Sequence, residues 1–149
     1  MGSGFGLESA IVARATPFAS WWLIGDLSER ETCPPPRLPC LDYVAHAPDV
    51  PGWIVATAGA VALFAALLAL GLLARGVVRA QTDRRYAAVV GPLVFAGVLV
   101  AFCGRVLTAG VHGANIGAGL VVIFGVPMFV VAIGVAVGSA VWIRRNPVR

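Results

Sequence analysis

GWIVATAGAVALFAALLALGLLA, from Gly52 to Ala74, is a run of 23 residues without a charge, and it decides the class of this fold. A helix needs about 20 consecutive apolar residues to cross the hydrocarbon core of a bilayer. Two more uncharged stretches follow, Tyr86 to Gly104 and Val106 to Ile143, with arginines between and after them. In hydrocarbon each main-chain N–H and C=O must be satisfied within the segment, which for runs of this length means α-helix. The chain therefore reads as an all-α integral membrane protein, one membrane domain over residues 1–149.

Composition agrees, with 59% hydrophobic and only 12% charged residues, where soluble domains carry about a quarter. A net charge of +4 would raise the question of nucleic acid in a soluble protein, so the positions of the arginines decide its meaning. Arg75, Arg79, Arg84 and Arg85 share one short connection, and Arg144, Arg145 and Arg149 follow the last span. Seven of the eleven positive charges thus lie on one side, and the positive-inside rule makes that side the cytoplasm. Membrane lipids are the expected surroundings, and nucleic acid is not an expected partner. The segment from Asp26 to Asp49 has the opposite balance and is expected outside the cell membrane. Every basic residue is arginine, and alanine, glycine and valine abound. That points to a GC-rich bacterial source and so to the bacterial plasma (inner) membrane. No removable signal peptide is expected, because no basic stretch precedes an apolar core at the amino terminus.

The three spans are expected at 52–74, 86–109 and 118–143, joined by a cytoplasmic hairpin at 75–85 and an outer turn at 110–117, with a cytoplasmic tail at 144–149. The tight hairpin predicts that the first two spans are antiparallel neighbours. Trp53 and Trp142 stand at span ends as interface anchors. Pro127 is expected to bend the last span, since it removes a main-chain donor and crowds the preceding turn.

Residues 7–24 are less apolar. Leu7, Ile11, Ala15, Phe18 and Trp22 recur at helical spacing, with Ser9, Thr16 and Ser20 on another side. This predicts an amphipathic helix that either lies in the outer interface or crosses as a fourth span. If it crosses, Arg14 needs a partner or water, because a charge near mid-bilayer costs roughly 3 kcal/mol even on insertion scales.

Residues 26–51 form an extracytoplasmic loop with six of the ten prolines. Cys33 and Cys40 bracket four of them, and on an oxidising face that pattern predicts a disulfide closing a small rigid loop. The spacing is too wide for the Cys-x-x-Cys of thiol oxidoreductases.

Candidate site residues are few. Arg105, Thr108 and His112 fall at i, i+3 and i+7 on one face near the outer end of the second span, a candidate site for an anion, a lipid headgroup or a quinone-like ligand. A snorkelling Arg105 paired with the acidic loop is the competing reading. Small residues recur every four positions at Ala58, Ala62 and Ala66, at Gly97 and Ala101, and at Gly134 and Gly138, which marks helix-packing faces. Arg37 in the proline loop, Trp21, Trp22, Gly134 and Gly138 are the candidate partner contacts, since arginine and tryptophan dominate interface energetics. No catalytic residue, metal site or cofactor is expected: no HExxH, haem-attachment or phosphate-loop pattern occurs, and the spans carry no acid.

These features favour a non-catalytic accessory or scaffolding subunit of a larger membrane complex, respiratory or transport, with other membrane subunits as partners. The alternative is a small self-associating transporter or channel, with Arg105, Thr108 and His112 lining its path.

Overall fold

The computed structural model describes residues 3–28, 43–79, 84–111 and 114–146, and the regular structure among them is helical. Helix α1 is Ser3–Ile24, α2 is Gly52–Val78 and α3 is Ala87–Thr108, entered through one 3-10 turn at Arg84–Tyr86. The fourth, α4, runs unbroken over Ala114–Arg145. Helices α2, α3 and α4 are long and apolar enough to cross a membrane. The expected spans are thus present, with ends that differ: α2 continues through Arg75 to Val78, and α4 begins at Ala114, inside the expected outer turn. A polar residue ends a span's apolar run but not its hydrogen bonds, so helix continues past the hydrocarbon boundary.

The hairpin prediction needs correction. Helices α2 and α3 are antiparallel, but α1 lies between them and packs on both, while α4 packs on α3. The contact order is α2, α1, α3, α4, an open row. Trp22 lies over Gly59, whereas Val12 packs with Ala69 and Leu73, so α1 runs antiparallel to α2. Thr16 and Pro17 abut Gly97 and Trp21 abuts Gly104, so α1 is parallel to α3. Val106 approaches Gly117 and Cys103 approaches Gly125, which makes α3 and α4 antiparallel.

Why α1 settles there follows from its side chains. Val12, fully buried, together with Ala19 and Thr16, faces the neighbours, and Val90 and Val94 close over the cluster of Val12, Ala69 and Leu73. Thr16 is tolerated inside because its hydroxyl donates to the Val12 carbonyl at 2.7 Å. Small residues on the receiving helices, Gly59, Ala66 and Ala69 on α2 and Gly97 and Ala101 on α3, are buried, and Gly59, Ala69 and Gly97 meet Trp22, Val12 and Thr16 of α1. Between apolar surfaces in lipid the gain is contact density rather than removal from water, so close backbone approach is what counts. Gly97 and Ala101 behave as the small-residue spacing predicts. On α2 the buried face opens with Gly59, while Ala58 beside it is exposed.

In α4 a π-helical segment, Val121–Gly125, precedes Pro127, and the Val126 N–H donates to the Val121 carbonyl, five residues back. A widened turn here relieves the crowding that a proline ring imposes on the turn before it.

Candidate functional site

The polar groups concentrate at the two ends of the row. At the loop end, α1 stops with Gly25 at φ 73°, a left-handed conformation that glycine adopts at little cost and that commonly ends helices. The last turn of a helix leaves main-chain carbonyls without partners. Arg105 of α3 supplies one: its Nε–H donates to the Trp21 carbonyl at 2.9 Å, and its guanidinium lies over the Trp21 ring, 4.4 Å from the centroid. The Asp26 carboxylate adds a favourable charge interaction.

Beyond α1 the chain turns on Asp26, whose carboxylate accepts from the Ser28 N–H at 3.0 Å and the Ser28 hydroxyl at 2.8 Å. Ser28 Oγ in turn accepts from the Gly110 N–H at 3.0 Å. On the far side of the loop, the Ala45 N–H donates to the Leu107 carbonyl at 3.1 Å. The Tyr43 ring covers Gly110, where a side chain would collide with it, and stacks on His46 with centroids 4.8 Å apart. Both ends of the loop are therefore fastened to the carboxyl end of α3, using carbonyls and N–H groups that the helix leaves open.

At the opposite, arginine-rich end the same chemistry recurs. Arg85, just ahead of α3, donates from Nη1 to the Asn146 carbonyl at 3.3 Å and lies over the Trp142 ring at 5.1 Å. Each end of α3 thus holds the carboxyl end of a neighbouring helix through an arginine and a tryptophan. Neither pairing is visible in sequence, since the partners are separated by 84 residues in one case and 61 in the other.

Of the candidate ligand cluster, Arg105 is engaged as described, and the Thr108 hydroxyl turns back to its own helix, donating to the Gly104 carbonyl at 3.0 Å. His112 lies outside the described residues, as do Arg37, Cys33 and Cys40. Cys103 is a free thiol. Trp21 and Trp22 insert against Gly104 and Gly59, so both are half-buried anchors within the row. Gly134 and Gly138 have open space beside them. The described residues hold no group of three or more metal-ligating side chains.

The hollows between helices are apolar. One groove of about 540 Å³ lies between Gly91, Pro92 and Phe95 of α3 and Pro127, Met128 and Val131 of α4. Two smaller ones flank Cys103 and Gly125 on the same helix pair. Such walls accept acyl chains or apolar side chains and offer nothing to polarise a substrate. Arg14 lies elsewhere, exposed on the outer side of α1. On the sequence it needs a partner or water if its helix crosses the bilayer; the structure shows which way its helix position faces.

Comparison with protein families, characterised proteins and solved structures finds no match to this chain. The class that the fold defines is an all-helical protein with three helices long and apolar enough to span a membrane and an additional helix packed among them.

Proposed function

We propose that the protein is a non-catalytic accessory or scaffolding subunit of a larger respiratory or transport assembly in a bacterial plasma membrane, with its arginine-rich end in the cytoplasm. The observation that carries this reading is the open row. Helices α2 and α4 stand at its two ends without packing on each other, and only 17% of the apolar window of each spanning helix is buried. Most residues of α2 and α4, the two ends of the row, are exposed toward lipid or another subunit. A row that does not close encloses no path of its own for a solute, which favours scaffolding over transport. The loop supports the same reading: its ends are pinned to α3, and a Cys33–Cys40 bridge across its prolines would let it present contacts at little ordering cost.

Gentle extraction from the native membrane, followed by size separation, mass spectrometry and an absorption spectrum, tests the proposal. Co-migration with a fixed set of larger membrane subunits is expected. Migration alone, or as a homo-oligomer, overturns it and turns attention to solute flux in liposomes. The bridge has its own check: without reductant, alkylation of the unfolded chain should label Cys103 alone.

A further inference from the structure

Helix α1 carries two stripes at alternating spacings of three and four residues. The inward one, Ser9, Val12, Thr16 and Ala19, meets α2 and α3. The outward one, Leu7, Ile11, Arg14 and Phe18, is exposed, with Leu7 at 65% and Phe18 at 66%. Such spacing is the seam by which one helix packs along another. Its one charge sits 11 residues after Ser3 and 10 before Ile24, about 15 Å from either end of the helix.

The packing register sets the depth of that charge. Val12 meets Ala69 and Leu73 and Thr16 meets Gly97, so Arg14 lies beside uncharged stretches of both helices, near the middle of α3 and toward the Arg75 end of the uncharged run of α2. The nearest charge along α2 is Arg75, roughly 9 Å beyond Ala69 along the helix. Arg14 makes no ion pair or hydrogen bond among the described residues, and none of the three long apolar stretches contains an acid. Intramembrane arginines pair, face water or snorkel to the interface. The neighbouring positions of the seam, Ile11 and Phe18, are exposed and apolar, so a packed helix that brings an acid would satisfy the charge at its own level.

We propose that this stripe of α1 seats a transmembrane helix of a different protein, one that carries an aspartate or glutamate near its middle, opposite Arg14. The proposal rests on the accessory-subunit reading and names the partner's chemistry. A second copy docking by the same stripe would set Arg14 against Arg14 at equal depth, a like-charge contact that discriminates against it. Glu8, the one acid of α1, lies six residues from Arg14 and off this stripe, so the proposed carboxylate opposite Arg14 is the partner's. Leu7, Ile11 and Phe18 supply the packing on either side of the charge pair, and the charge pair fixes register and partner choice.

The test is photocrosslinking in the native membrane, with benzoylphenylalanine in place of Phe18 and, as control, in place of Leu68 on the exposed side of α2. An adduct from position 18, mapped by mass spectrometry to a transmembrane helix with an acid within one turn of the Arg14 level, is expected. Arg14→Leu should lower its yield at least tenfold per membrane-inserted chain, Arg14→Lys should retain most of it, and Ala10→Trp, which keeps the charge but blocks the face, should also abolish it. Adducts only with lipid or with a second copy, with a helix lacking an acid, or undiminished by Arg14→Leu overturn the proposal. Co-migration with fixed partners but no such adduct refutes this docking face alone. Migration without partners refutes the accessory-subunit reading itself.

Discussion

Arg105 donates its Nε hydrogen to the main-chain carbonyl of Trp21 at 2.9 Å while its guanidinium covers the Trp21 ring. One side chain thereby completes the end of α1, holds it to α3 and places a positive charge where a helix carboxyl terminus favours it. A hydrogen bond from a charged donor contributes about 1.5–3 kcal/mol. Arg105→Leu should therefore lower the unfolding free energy in mixed micelles by about that amount. Arg105→Lys should recover less than half, because a lysine ammonium lacks the planar group that stacks and bonds together. Equal stability of all three chains would remove the capping role.

Gly59 and Gly134 answer opposite questions about packing. A side chain at Gly59 collides with Trp22, whereas Gly134 has open space. Gly59→Leu is expected to destabilise the isolated chain by about 1–3 kcal/mol through overpacking. Gly134→Ala should leave it unchanged or raise it by up to about 1 kcal/mol through helix propensity. Thermal unfolding in detergent distinguishes them, and the reverse order would contradict the packing of α1 on α2.

Because α1 is parallel to α3, its amino end belongs to the arginine-rich side. With Cys33, Cys40 and Cys103 replaced by alanine, a membrane-impermeant maleimide should label Gly6→Cys and Arg79→Cys from one side of intact cells or inverted vesicles, and Ser28→Cys from the other. Labelling of Gly6→Cys together with Ser28→Cys would mean that α1 does not cross.

Tyr43 closes over Gly110 and stacks on His46. Tyr43→Ala should release the following loop segment, read as at least tenfold faster amide exchange at Ala45, with little change in the melting of the helices. Unchanged exchange would assign the anchoring to the Ala45 and Leu107 hydrogen bond alone.

The uncharged runs announced α2, α3 and α4, because hydrocarbon permits only internally satisfied backbone and the signal is carried by every residue of the run. The same apolarity hid the arrangement. Lipid-facing and helix-facing positions share one chemistry in a membrane, so Leu67, which is exposed, and Leu73, which is buried, look alike in sequence. The candidate site was legible in part: Arg105 stood out as a charge near a span end, yet its partner is a main-chain carbonyl, which no residue type encodes.

Sequence by itself determined the environment, the number of strong spans, the uneven distribution of arginine and the anomaly of Arg14, all of which depend on composition along a line. Tertiary structure alone decided that α1 stands between α2 and α3, that Trp21 and Trp22 face glycines, and that Arg14 lies on the outer seam. Those outcomes depend on which backbones can approach most closely, and in lipid, where apolar burial does not choose among faces, close fit between side chains and glycine surfaces makes the choice.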